Sequence, residues 1–155
     1  MHLHQLLATP KKAHIMKDGL HTNEHGDKEW FLNGRLHRED GPAIEFANGN
    51  KWWFLHGLQH RENGPAIENI NGTKQWFLHG KRHREDGPAI ERATGIKEWF
   101  LHGKRHREDG PAYQNGNSVK YWLFGKNMTK ETFQSYTTQL ANKNLEVEFI
   151  WMFIK

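Results

Sequence analysis

The stretch WFLHGKRHREDGPA, from Trp76 to Ala89, decides the fold, because its parts return along the chain at a fixed step of 23 residues. A tryptophan, the leucine two positions after it, the first histidine of HREDGPA and its glycine all keep this step. The recurring positions are Trp30, Trp53, Trp76, Trp99 and Trp122; Leu32, Leu55, Leu78 and Leu101; His37, His60, His83 and His106; and Gly41, Gly64, Gly87 and Gly110. Self-similarity at one period is typical of repeat proteins. About five units fill most of the chain, and Gly125, one residue early, marks the predicted end of the array.

Each unit has the composition of two strands and two turns. PAIEFA is followed by Asn48-Gly49, a dipeptide that tolerates the positive φ of a tight hairpin turn, and then by the aromatic, strand-forming KWWFLHG. Asp-Gly marks the second turn, and proline is tolerated as the first residue of a strand. A period of 23 is too short for two helices and a turn. The pattern predicts a mainly β fold of tandem 23-residue β-hairpins in an elongated antiparallel meander. The alternative adds a third short strand per unit, with a turn at His56-Gly57 and its equivalents.

Both faces of the predicted sheet carry apolar rows. Side chains alternate along a strand, so Trp53 and Leu55 share one face while Trp52 and Phe54 take the other. A sheet with one solvated face would not need two apolar rows. We therefore expect the second face to be covered by a chain end, by strong curling of the sheet, or by another molecule.

The end of the chain differs from the repeats. NMTKETFQSYTTQLANKN predicts a short amphipathic helix, with Thr129 as N-cap and apolar residues three and four positions apart. LEVEFIWMFIK alternates, which favours a terminal strand that packs on the sheet or forms a subunit interface, and so a homodimer, through Phe149, Trp151 and Phe153. The predicted organisation is an N-terminal cap with a decayed repeat over 1–25, the hairpin array over 26–126, and the helix and apolar strand over 127–155.

Bulk composition limits the function classes. The 155 residues have 35% hydrophobic and 26% charged residues and a formal charge of +4, from 22 basic and 18 acidic residues that are well mixed rather than gathered in a polybasic tract. No cysteine is present, so disulfides and cysteine-based zinc sites are excluded. The opening residues do not follow the order of a secretory signal, and no apolar run approaches the ~20 residues of a membrane span. We expect a cytoplasmic protein with no membrane partner.

The twelve histidines suggest zinc, but the repeat geometry does not favour it. Equivalent residues in neighbouring two-strand units lie roughly 9.5 Å apart, whereas a zinc ion lies ~2.0–2.1 Å from each histidine nitrogen. His60, His83 and His106 therefore cannot share one ion, and we predict no metal and no cofactor.

Catalysis is disfavoured because HREDGPA recurs in near-identical copies. An active site is normally one asymmetric constellation in a pocket. The copy at His60 reads HRENGPA, and asparagine replaces aspartate as a turn former but not as a charged base. We predict that the chain is not an enzyme and has no catalytic residues.

A row of basic side chains remains as the candidate binding surface. One reading pairs each arginine with a carboxylate of its own or the next turn, and the other presents the row to an acidic partner, with stacking on exposed aromatic residues if that partner is a nucleic acid. The predicted binding residues are Arg38, Arg61, Arg84, Arg107, His60, His83, His106, Lys81, Arg82, Lys104 and Arg105.

The unit from Trp76 to Ala89 resembles repeats in uncharacterised proteins of bacteriophages and large DNA viruses, whose arrays often end in a Trp strand and a helix opening like Met128–Glu131. The resemblance covers roughly 26–133. These repeats are distantly similar to MORN repeats, which form single-layer meanders of β-hairpins and mostly act as binding scaffolds. The resemblance implies a viral accessory module that binds a host protein in the host cytoplasm, for example an inhibitor of a bacterial defence system such as CRISPR. The alternative is a nucleic-acid or nucleotide-ligand binder that uses the Arg/His row.

Overall fold

The computed structural model describes residues 16–153, and in its C-terminal helix it describes side chains only as far as residue 143. Over this range the chain forms short antiparallel strands followed by one helix, α1 (Lys130–Phe153). The strands are β1 (Gly19–Thr22), β2 (Lys28–Leu32), β3 (Arg35–Leu36), β4 (Ile44–Glu45), β5 (Lys51–Trp52), β6 (Phe54–Leu55), β7 (Leu58–Gln59), β8 (Ile67–Glu68), β9 (Lys74–Gln75), β10 (Phe77–Leu78), β11 (Lys81–Arg82), β12 (Ile90–Glu91), β13 (Lys97–Glu98), β14 (Phe100–Leu101), β15 (Lys104–Arg105), β16 (Tyr113–Asn115), β17 (Ser118–Leu123) and β18 (Lys126–Met128). The predicted mainly β meander is confirmed.

Each repeat contributes to two connected arms. In the main arm, β4, β5, β8, β9, β12, β13, β16 and β17 pair in chain order, after β1 and β2. In the turn arm, the same polypeptide continues past its tryptophan into a second hairpin, such as β6 with β7. Neighbouring hairpins of the turn arm are also joined, because Gly57 N–H donates to Leu36 O at 2.8 Å and Arg38 N–H to Phe54 O at 3.1 Å. The array is therefore hydrogen-bonded along both arms.

The turn arm decides the number of strands per unit. His56 and Gly57 both have positive φ, 51° and 82°, which is the backbone of a two-residue type I′ hairpin turn. The same pair of positive angles recurs at Asn33-Gly34, His79-Gly80, His102-Gly103 and Phe124-Gly125. The alternative with an additional short strand and a turn at His56-Gly57 is confirmed, while the main arm keeps two strands per unit.

The last unit is shortened by one residue in its main-arm turn. Tyr113 pairs with Lys120 in the β16–β17 hairpin. Ile90 lies 23 residues before Tyr113 and pairs with Glu98, so its hairpin contains one residue more. As a result Trp122 takes the place of Phe100: its carbonyl accepts the amide of Arg107 at 3.2 Å. The sequence register that aligned Trp122 with the other tryptophans was wrong, because identical residue types at one spacing cannot reveal a deletion in the intervening turn.

The core runs as a repeated cluster between the arms. Ala43, Ala66, Ala89 and Ala112 are fully buried. Ile67 of the main arm and Phe77 of the turn arm lie in one cluster, with Trp52 packed against it. Residues of both arms thus share one core cluster in each repeat, which buries part of the apolar rows.

The helix packs against the last strands through its first turn. Thr129 caps it by accepting the amide of Thr132 at 3.2 Å, and Phe133, 5% exposed, lies 4.9 Å from the ring of Tyr121. The backbone stays helical to Phe153, so the predicted terminal strand was wrong. No glycine or proline interrupts 130–155, and a strand needs a partner edge, whereas a helix satisfies its own backbone.

Two predictions fall partly outside the described residues. The side chains of Phe149, Trp151 and Phe153, the predicted interface, lie beyond the described side chains, and the predicted cap over 1–25 is described only from residue 16. No helix among the described residues has the length and apolarity that a bilayer crossing requires.

Candidate functional site

The histidine of HREDGPA joins one repeat to the next. His60 Nδ1 accepts the backbone N–H of His79, in the type I′ turn of the following unit, at 3.1 Å. The same bond is made by His37 to His56, by His83 to His102 and by His106 to Phe124, at 3.1–3.2 Å. No backbone carbonyl accepts this turn N–H, so the imidazole nitrogen serves as its acceptor.

This bond fixes the tautomer that each bridging ring has when it is neutral. A nitrogen that accepts an N–H carries no proton, so the neutral ring holds its proton on Nε2. His60 is 6% exposed, and its pKa is lowered, first by burial and then by the neighbouring His79, while Glu62 opposes the shift. The Nε2 atoms point towards exposed glutamates at 3.4–4.0 Å: Glu39, Glu62, Glu85 and Glu108.

The arginine of HREDGPA is held inside its own repeat. Arg84 Cζ lies 4.0 Å from the ring centroid of Trp76, while the guanidinium donates to Asp86 at 2.8 Å, to Glu91 at 2.9 Å and to the carbonyl of Pro88 at 3.2 Å. The other three copies stack on their tryptophans at 3.9–4.0 Å: Arg38, Arg61 and Arg107. These four arginine side chains are only 21–30% exposed.

Glycine, proline and alanine complete the packing of the loop. A Cβ on Gly87 would lie 2.9 Å from Arg84 Cζ, so only glycine leaves room for the stacked guanidinium. Pro88 provides the carbonyl that this guanidinium binds, and the carbonyl of Ala89 accepts the amide of Trp76 at 2.8 Å. The histidine of HREDGPA therefore joins neighbouring repeats, its arginine, glycine, proline and alanine make contacts within one repeat, and its glutamate faces solvent.

The outward surface of these loops is acidic rather than basic. Asp40, Glu85 and Asp86 have side chains 80–84% exposed, with the other glutamates and aspartates of the loops at 62% or more. Hydrogen bonds from Arg38 and Arg84, followed by their charge, lower the pKa of Asp40 and Asp86, so both carboxylates are ionised at neutral pH. The loops bury their positive charge and expose their negative charge.

The predicted binding residues divide into two groups. The first group is engaged in contacts within the array: His60, His83 and His106 bind the turn of the next repeat. The four loop arginines form ion pairs inside their own repeats, as the ion-pair interpretation expected. Lys81, Arg82 and Lys104 are exposed on the turn arm, and Arg105 is half-buried. The structure brings together loop residues and their tryptophans, but it does not gather the eleven predicted residues into one ridge.

Clefts between successive loops were missed by the sequence reasoning. Three lie in a row, with volumes of about 450, 630 and 640 Å³. The middle cleft is lined by Trp76 and Leu78, with Glu62 on one loop and Glu85 and Asp86 on the next. The recurring Trp-x-Leu pair was a sequence signal for this surface, but it reads equally well as core.

Metal binding and similarity to known proteins add no further site. Across the residues that the structure describes, no three histidine, aspartate or glutamate side chains come together as ion ligands. No protein-family model matches the chain, and no curated protein matches it. The resemblance to viral and MORN-type repeats stays a prediction.

Proposed function

We propose that this chain is a non-enzymatic protein-binding module, and that its partner lies in an extended conformation along the row of three clefts. The observation that carries the proposal is the recurrence of one cleft in three copies, each with a tryptophan and a leucine on its lining and acidic side chains on its walls. Apolar lining with a few polar groups at fixed places is typical of binding sites.

The spacing of the clefts supports an extended partner. Equivalent points in neighbouring units are separated by two strand spacings, roughly 9.5 Å. A polyproline II segment has three residues per turn and a rise of about 3.1 Å, so its side chains repeat at about 9.3 Å. A segment that carries one anchoring residue in every three would place one anchor in each cleft.

Charge supports a basic partner segment. Glu62, Glu85 and Glu108 are exposed and ionisable, while the arginines beneath them are already paired. Lysine or arginine anchors would meet these carboxylates, and their aliphatic stems would cover the tryptophan and leucine surface. The same charges disfavour nucleic acid on this face, because phosphates would meet carboxylates.

The resemblance to viral repeat proteins supports placing the partner in a host cell. A host protein with a basic, extended segment is the partner class that we propose, and inhibition of a bacterial defence system is one function such binding would serve.

The test uses a peptide of five Arg-Pro-Pro units and isothermal titration calorimetry. We expect saturable binding that weakens about tenfold in the triple variant Glu62→Gln, Glu85→Gln and Glu108→Gln, because each lost ion pair contributes about 0.2–1 kcal/mol. Glu24→Gln, an exposed glutamate outside the clefts, is the matched control and should leave binding unchanged.

A second peptide of the same composition, with its arginines consecutive at one end, distinguishes the effect of arginine spacing from the effect of total charge. Equal binding of the two peptides would contradict the cleft register. Binding of an oligonucleotide with a steep salt dependence, and no binding of either peptide, would replace the proposal with the nucleic-acid alternative.

A further inference from the structure

Two equivalent arginines of the turn arm lie between aromatic rings. Arg82 Cζ is 5.5 Å from the ring centroids of both Phe77 and Phe100, and Arg105 Cζ is 5.5 Å from Phe100 and 5.3 Å from Trp122. Rings and guanidinium groups thus alternate along the array. These arginines share a face with Phe77, which is the face opposite to Trp76 and the clefts.

The two arginines differ in their acceptors. Arg105 donates from Nη2 and Nε to Glu98 Oε2, at 2.6 and 3.1 Å, and Glu98 is only 4% exposed. One repeat earlier, the place of Glu98 is taken by Gln75. Among the residues with described side chains, no oxygen accepts a hydrogen bond from the Arg82 guanidinium, and Arg82 is exposed.

We infer that Arg82 is a binding site for a carboxylate of a second molecule. Arg105 with Glu98 is the internal template, since it shows which acceptor a guanidinium in this ring environment binds. Arginine is always protonated and presents its donors in a fixed fork that suits a carboxylate. The rings of Phe77 and Phe100 are themselves buried, so they offer the exposed guanidinium fixed cation–π contacts that lower the cost of ordering it when a carboxylate binds.

This site goes beyond the proposed function, because it lies on the other face and takes a ligand of opposite charge. A partner held in the acidic clefts by basic side chains would not occupy it. The two proposals therefore succeed or fail independently.

The test follows the Nε–H signal of Arg82 by nuclear magnetic resonance while sodium acetate replaces sodium chloride at constant ionic strength. We expect a saturable downfield shift at Arg82, as an N–H shows when it donates to a charged acceptor, and no change at Arg105, whose acceptor is already in place. N-acetylglutamic acid α-amide then presents the carboxylate as a side chain, and N-acetylalanine presents it as a chain terminus. The probe that binds more tightly shows which of these two kinds of carboxylate Arg82 prefers.

The decisive variant is Gln75→Glu, which restores the template within the chain. It should abolish the acetate response while Arg82 remains present, and Lys81→Gln, which removes the neighbouring positive charge on the other face, should keep the response. The inference is overturned if Arg82 responds equally to chloride, if inorganic phosphate binds more tightly than acetate, or if the Gln75→Glu variant still responds.

Discussion

The loops HRENGPA and HREDGPA, at His60 and His83, are a natural comparison within one molecule. Arg84 binds Asp86, Glu91, the Pro88 carbonyl and a tryptophan ring. Arg61 has Asn63 in place of the aspartate, yet it keeps its tryptophan at 3.9 Å, its proline carbonyl at 3.1 Å and Glu68 at 2.6 Å. The stacked ring, the carbonyl and the strand glutamate thus suffice to hold the arginine, and the loop aspartate is an addition.

The largest effect in this comparison is expected from removing the arginine. Arg61→Ala and Arg84→Ala should each lower the free energy of unfolding by about 2–3 kcal/mol, because each loses a cation–π contact and hydrogen bonds to charged and carbonyl groups. Urea unfolding of the two variants checks this. A loss much greater at Arg84 than at Arg61 would mean that Asp86 is more than an accessory partner.

His60 gives an intermediate effect that depends on pH. Burial lowers the pKa of His60, so the folded state binds fewer protons than the unfolded chain, in which histidine titrates near 6.5. The contribution of His60 to stability is complete above about pH 6.5 and is lost as pH falls below that value. A proton on Nδ1 also ends its bond to the His79 amide.

Urea midpoints between about pH 7.5 and 5 measure this slope above the range in which the carboxylates titrate. His60→Gln should flatten the slope, whereas His25→Gln, an exposed histidine outside the loops, should keep it. Identical slopes for His60→Gln and the unsubstituted protein would show that the bridging histidine does not sense pH.

The smallest effect is expected from exchanging the two loop types. Asp86→Asn should lower stability only slightly, and Asn63→Asp should raise it by a similarly small amount, because exposed ion pairs contribute little. Chemical denaturation in low and high salt is the measurement. A loss of stability for Asp86→Asn as large as that for Arg84→Ala would show that the loop aspartate is not an accessory partner.

Turn chemistry was the most predictable part of the molecule, because glycine and asparagine reveal backbone angles locally. Gly49, Gly72 and Gly95 all adopt the positive φ that the Asn-Gly and Thr-Gly dipeptides indicated. The exposure of the Arg/His row was not predictable in the same way. Arg84 stacks on Trp76, eight positions earlier in the chain, instead of facing a partner, and the periodicity of the sequence does not reveal this contact.

The terminal helix shows the same limit. Alternating apolar residues after Leu145 indicated a strand, but a strand forms only where an edge accepts it, and the backbone there is helical. The shortened turn before β17 was hidden as well, since Trp122 preserved the spacing of the tryptophans while its structural role became that of Phe100.

The sequence by itself determined the repeat, its hairpins and their turns, because a 23-residue period and dipeptides such as Asn48-Gly49 restrict the backbone locally. Only the tertiary structure decided which charges face outward. Each loop carries an arginine, a histidine and two acidic or amide residues, and the fold decides which of them are buried. Arg84 stacks on Trp76, His83 accepts the turn amide of His102, and Glu85 faces solvent. The outward face of these loops is therefore acidic, although the sequence reads as a basic row.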